Sequence, residues 1–136
     1  MTERLAGLHL RGEELLFYQA AGRGELIYGR CAACSEASLT PRWFCTRCGS
    51  QDMISSVSAR LGVVESITTV HRGNRPAFPA PYQVAIIALD EGFRLMTGVI
   101  GEDCAIGDAV VIDFEPQQDD LAVPVARKRG DAETTT

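Results

Sequence analysis

Apolar and polar positions change their rhythm along this chain near residue 61. Ahead of that point, residues 13–21 place Leu15, Leu16, Phe17 or Tyr18, and Ala20 in a partial apolar stripe. Such a stripe predicts a short helix. Gly22 and Gly24 follow it and end it. Phe17 and Tyr18 are expected to pack against the rest of the chain, because large aromatics bury most of their area; a partner or ligand surface is the competing reading. Residues 25–30 predict a strand and residues 38–44 its return. Trp43 and Phe44 stand at the end of that return, and core packing is expected for both. Residues 55–60 read as a strand or a linker.

From Leu61 the pattern is all-β. Residues 62–72 are rich in β-branched side chains, residues 82–89 form a strongly apolar run, and residues 93–100 return after the turn Asp90-Glu91-Gly92. Gly107-Asp108 marks another turn, residues 109–115 a fourth strand and residues 121–126 a fifth. Residues 73–81 form a loop dense in proline and glycine, and residues 130–136 read as a disordered tail. Five short strands with tight turns suggest a small Greek-key barrel of the OB type. Closing the sheet removes the edges that so small a domain would otherwise have to protect.

Between the helix and the barrel lies the stretch that carries chemistry. It reads Cys31-Ala-Ala-Cys34, then ten residues, then Cys45-Thr-Arg-Cys48. A two-residue gap lets the chain fold back so that both sulfurs face one ion, and two such turns make a tetrahedron. Four sulfurs in a tetrahedron select zinc or iron, with zinc preferred. Four thiolates leave no protein-side position open for water or substrate, so the site is of the structural kind. Disulfides are the alternative, and nothing else in the chain suggests export. Gly49 directly follows Cys48, as a turn needing positive φ requires. The fifth cysteine, Cys104, is expected to be a small buried hydrophobe.

Composition narrows the classes further. The net charge is −5, and residues 101–136 hold nine acids against three bases, so the acidity sits in the C-terminal part. A low pI and a single lysine, Lys128, argue against a general nucleic-acid footprint. The N-terminus shows no signal peptide, and no stretch approaches the ~20 apolar residues that a membrane span needs. With five cysteines and no export signal, the cytoplasm is the expected compartment. The two histidines, His9 and His71, join no catalytic grouping that spacing supports. His71 is expected on the surface of the first barrel strand, beside Arg72 and close to Arg75. These arginines suit phosphate, because a guanidinium donates two parallel hydrogen bonds. Phe78 is an apolar group on the loop that follows.

At the level of motifs the chain resembles a known bacterial and archaeal family. Arg30-Cys31-Ala-Ala-Cys34 with Pro41-Arg42-Trp43-Phe44-Cys45-Thr-Arg-Cys48-Gly49-Ser50 is similar to that family's rubredoxin-like zinc ribbon. Residues 62–72, the central hairpin at 81–95 and Ile106-Gly107-Asp108-Ala-Val110 are similar to the OB-fold that follows it. The resemblance covers residues 12–128. It departs at Thr46, where a proline is common, and at residues 121–127, which lack an aromatic often present there.

The resemblance implies a mainly β protein: a short N-terminal helical segment (1–24), a four-cysteine rubredoxin-like zinc ribbon (25–58), a five-stranded OB-fold barrel (59–128) and a tail (129–136). It implies structural Zn²⁺ on Cys31, Cys34, Cys45 and Cys48, with iron the lesser alternative. It also implies a non-catalytic accessory subunit of a thiolase-like or ketosynthase-like enzyme acting on acyl-CoA thioesters, stabilising the partner and guiding the CoA-linked substrate. Some members are fused to hydratase-like partners; this chain is expected to be the stand-alone form. Arg72, Arg75 and Phe78 are the candidates for a CoA or partner contact. No nucleic acid and no membrane partner are expected. The rival readings are a nucleic-acid-binding ribbon/OB protein, which a salt series would expose, and an iron electron carrier, which colour and metal analysis would expose.

Overall fold

The computed structural model describes residues 12–39, 42–72 and 81–129. Helix α1 (Glu13–Gly22) leads into a three-stranded antiparallel sheet of β1 (Ile27–Cys31), β2 (Ala37–Leu39) and β3 (Met53–Val57), in the order β2-β1-β3. Five strands follow: β4 (Leu61–Val70), β5 (Tyr82–Leu89), β6 (Arg94–Ile100), β7 (Ala109–Pro116) and β8 (Ala122–Lys128). They close into a barrel in the order β4-β5-β6-β8-β7. The fold is therefore mainly β with one short helix, a ribbon and an OB barrel, as the pattern predicts. No helix among the described residues is long and apolar enough to cross a membrane. The expected loop at 73–81 lies, but for exposed Pro81, outside the described residues, as do the tail at 130–136 and His9.

The barrel core is clearest along β5, where buried positions alternate. Ala85, Ile87 and Leu89 on β5 point inward and meet Val64, Leu95, Val110, Ile112 and Ala126. A bulge between Val64 and Ser66 re-registers β4 against β5. Strands β6 and β8 pair in parallel, the one parallel seam in the barrel. There the buried Thr97 hydroxyl donates to the Pro124 carbonyl at 2.6 Å.

Helix α1 lies on β8. Glu13 and Glu14 in its first turn suit the positive end of the helix dipole, and Phe17, Ala20 and Ala21 form its buried face. Phe17 meets Tyr18 edge-to-face at 5.2 Å, so both aromatics pack as expected. Only glycine fits at position 22, where a built Cβ would meet the Asp120 carbonyl oxygen without room for it. The helix end thereby seats directly against the β7–β8 turn.

Two local expectations are corrected. Among the described residues the return strand expected over residues 38–44 is Ala37–Leu39, paired with β1 up to Tyr28↔Leu39, and residues 42–44 are not strand but lead into the second cysteine turn. Trp43 and Phe44 are not core residues: they are 82% and 54% exposed. The three-stranded sheet is too small to hold them. Its interior is taken by Cys31 and Cys45, and its remaining apolar contact is made with the barrel, through Tyr28 stacked on Phe93 with centroids 4.8 Å apart and planes 12° apart. The segment after the ribbon proves to be both things the sequence allowed. It is a strand to Val57, paired with β1 from Ile27 to Cys31, and a linker thereafter.

Candidate metal centre

The same turn is built twice. In the first, the Ser35 N–H donates to the Cys31 carbonyl at 2.8 Å and the Cys31 N–H donates to the Glu36 carbonyl at 2.9 Å. In the second, Gly49 N–H donates to the Cys45 carbonyl at 2.9 Å and Cys45 N–H to the Ser50 carbonyl at 2.8 Å. Ser35 and Gly49 occupy equivalent positions with φ of 68° and 78°. Glycine takes that conformation at no steric cost, and serine does not.

These turns bring the four expected ligands together. Cys31 Sγ lies 3.6 Å from Cys48 Sγ, and Cys34 Sγ lies 3.6 Å from Cys45 Sγ. All four sulfurs lie within 4.8 Å of one another. A tetrahedron with metal–sulfur bonds of ~2.3 Å has edges of about 3.8 Å, so the donor set and its spacing fit one zinc-sized ion. The five cysteines are free thiols, which removes the disulfide alternative. The four are able to bind a metal ion.

Backbone donors prepare the sulfurs for it. The N–H groups of Cys48 and Arg47 reach Cys45 Sγ at 3.5 and 3.3 Å. Led by the Cys48 donor, and against the effect of burial, they hold the Cys45 thiol down at about 7. Cys31 is lowered in the same way, first by the Cys34 N–H and then, beyond an opposing effect of burial, by that of Ala33. The other two thiols move upward. At Cys34 the Glu36 N–H pulls down, but burial and the neighbouring thiols, Cys45 foremost, outweigh it and push the group up to about 12. At Cys48 the Ser50 N–H is likewise outweighed, chiefly by Cys31. Without an ion, then, two of the thiols lose their protons more readily than a free thiol and two less readily. A divalent cation among them supplies the charge that lets all four ionise.

The centre is fastened to the barrel by residues to which the motifs assign no role. Arg30, directly before Cys31, donates from Nη1 to the Ser35 carbonyl and from Nη2 to the Glu91 carbonyl, both at 2.8 Å. Glu91 sits in the β5–β6 turn. Its carboxylate accepts from Ser58 Oγ and from the Ala59 N–H, each at 2.8 Å. The sequence shows Glu91 only as the middle of a hairpin turn; its partners Ser58 and Ala59 stand 33 and 32 residues away, and no local pattern reports them.

The remaining candidates are not gathered into one place among the described residues. Arg72 is exposed just beyond β4, beside exposed His71, while Arg75 and Phe78 lie outside the described residues. Cys104 is buried, and burial pushes its thiol up, as suits a small core side chain.

A four-cysteine ribbon placed ahead of a closed five-stranded barrel defines a zinc ribbon–OB-fold protein. Residues 19–53 match the model described as "ChsH2, rubredoxin-like zinc ribbon domain", and residues 57–115 match "ChsH2, C-terminal OB-fold domain". The chain belongs to this ChsH2 family, also called DUF35. A solved structure described as "Ltp2-ChsH2(DUF35) aldolase" is 34% identical with a TM-score of 0.77, over 88% of this chain and 96% of that one. A DUF35 protein of unknown function from Sulfolobus solfataricus shares the fold at 15% identity, with a TM-score of 0.65 over 90% of each chain. The "Probable enoyl-CoA hydratase alpha subunit" of Thermomonospora curvata is 36% identical over 118 residues, or 85% of this chain. This chain spans 37% of that relative's length.

Proposed function

We propose that this chain is a zinc-binding accessory subunit of an enzyme complex acting on acyl-CoA thioesters, with a thiolase-like or ketosynthase-like partner in the cytoplasm. Cys31, Cys34, Cys45 and Cys48 hold the zinc. The ion has a structural role, since four thiolates fill its tetrahedron and leave no position for substrate. Iron would fit the same sulfurs, and metal analysis separates the two. The observation that carries the reading is the likeness to the ChsH2 chain of an aldolase along nearly its whole length.

In this reading the metal fixes the ribbon, and the barrel presents a surface to the partner. Arg72 and Arg75 meet CoA phosphates through their guanidinium forks, and Phe78 adds an apolar contact on the same loop. The hydratase subunit among the relatives favours a second partner class, a hydratase-like enzyme. Affinity capture from the native host, followed by identification of the bound enzyme, distinguishes the two. Reconstitution tests the rest. The purified chain should leave an acyl-CoA thioester untouched and raise the turnover or stability of the captured enzyme. Unaided turnover by the chain would overturn the accessory role.

A further inference from the structure

We infer that Arg30 is a relay through which metal occupancy of the ribbon governs how firmly the linker at residues 58–60 is held to the barrel. The inference rests on the metal assignment and not on the identity of the partner enzyme.

One guanidinium joins two parts of the molecule that are fixed by different means. Its Nη1 ends on the carbonyl of Ser35, the residue that closes the first cysteine turn on Cys31. Its Nη2 ends on the carbonyl of Glu91 in the β5–β6 turn of the barrel. The planar fork sets both directions at once, and the group lies over the Tyr28 ring, 5.6 Å from its centroid. Tyr28 is itself stacked on Phe93, the residue next but one to Glu91. Glu91 then spends both carboxylate oxygens on Ser58 and Ala59, and Ser58 Oγ accepts from the Arg60 N–H at 2.9 Å. A continuous path of hydrogen bonds thus runs from Cys31 through Ser35, Arg30 and Glu91 to the linker.

The position of the Ser35 carbonyl depends on the first turn keeping its shape, and an ion bound by the four sulfurs would add to the two backbone bonds that close that turn. Loss of the ion frees that carbonyl, removes one end of the fork and lets the Glu91 turn and the linker open. Linkage requires the converse: a linker held to the barrel strengthens metal binding by the same factor. The alternative is a ribbon that gains or loses its ion with no effect beyond β3, the linker being held by the bonds between Arg60 and Ile112 and the ribbon by the stack of Tyr28 on Phe93 and the packing of Ile27, Ala37 and Leu39.

Amide exchange on the full chain decides between them, with zinc content measured on each sample. The reporters are the N–H groups of Ala59 and Arg60; the Val64 N–H, bonded within the barrel to the Asp108 carbonyl at 3.0 Å, is the reference. Stripping zinc with a chelator should speed exchange at Ala59 and Arg60 at least about fivefold, the lower end of usual coupling, and leave Val64 unchanged. In Arg30→Ala the linker should exchange fast with zinc bound, chelation should change it less than about twofold, and zinc affinity by chelator competition should fall about fivefold. Arg30→Lys keeps the charge but cannot span both carbonyls, and should behave alike if the alanine variant fails to fold. An unchanged linker in the stripped native chain, or a native-sized response in the lysine variant, would overturn the relay while leaving the metal site standing. A chain that takes up no metal would overturn both.

Discussion

Replacing Phe93 and Trp43 with alanine, one at a time, should destabilise the protein in an order opposite to the sizes of the two side chains. Phe93 is 3% exposed and stacked on Tyr28, at the place where the ribbon meets the barrel. Its truncation removes almost all of a buried ring and opens a cavity, at a cost of about 3–5 kcal/mol. Of this, about 0.5–1.5 kcal/mol belongs to the aromatic pair and would appear as coupling in a double-mutant cycle with Tyr28→Leu. Trp43 is 82% exposed. Even at ~250 Å² for the whole side chain, the buried remainder is worth at most about 1 kcal/mol at 25 cal/mol/Å². Urea unfolding of the zinc-loaded chain, followed by circular dichroism, would measure both. In thermal melts Phe93→Ala should lower the midpoint by roughly 10 °C or more, and Trp43→Ala by less than about 4 °C. Equal losses, or a larger one for Trp43, would refute the claim that the ribbon borrows its core from the barrel.

Other consequences are as direct. Cys31→Ser or Cys45→Ser should lower the zinc content and loosen the ribbon, seen as faster amide exchange across β1 to β3 and as lower activity of the reconstituted partner; a variant with full zinc and an intact ribbon contradicts the site. Zinc uptake at neutral pH should release protons, because Cys34 and Cys48 hold theirs more tightly than a free thiol while thiolates bind the metal. The apparent affinity should therefore rise with pH, and a weakly buffered titration with a pH electrode checks the sign. Gly49→Ala should cost about 1–2 kcal/mol from backbone conformation alone, since nothing lies within 4 Å of the added Cβ. Ser35→Gly should not destabilise the equivalent turn, and thermal melts of the two variants would show the contrast. Gly22→Ala should cost about 1–3 kcal/mol, because the methyl group runs into the Asp120 backbone and the helix must shift.

What could be read from the chain was local. Two Cys-x-x-Cys turns specify their own ligand geometry, since the sulfurs, the N–H donors and the residue of positive φ all lie within a few positions of one another. The apolar run at 82–89 specifies a buried strand, though not which of its faces turns inward, and Asp90-Glu91-Gly92 specifies a hairpin, with Gly92 at φ 106°. Closure of the barrel follows from the number of such strands and the need to cover their edges.

Other features were illegible because they depend on partners remote in sequence. Trp43 and Phe44 look like core by composition, yet only the finished ribbon shows that there is no room for them. Glu91 and Arg30 look like a turn residue and a strand end, yet together with Ser58 they fasten the metal turn to the barrel.

The sequence alone determined the ligand set, the helix and the strands of the barrel, because each is set by spacing within one segment. The tertiary structure alone decided where the ribbon finds its core, which aromatics remain in solvent and which side chains join the two sheets. Those outcomes come from the packing of surfaces far apart along the chain, and no period of the sequence encodes such a meeting.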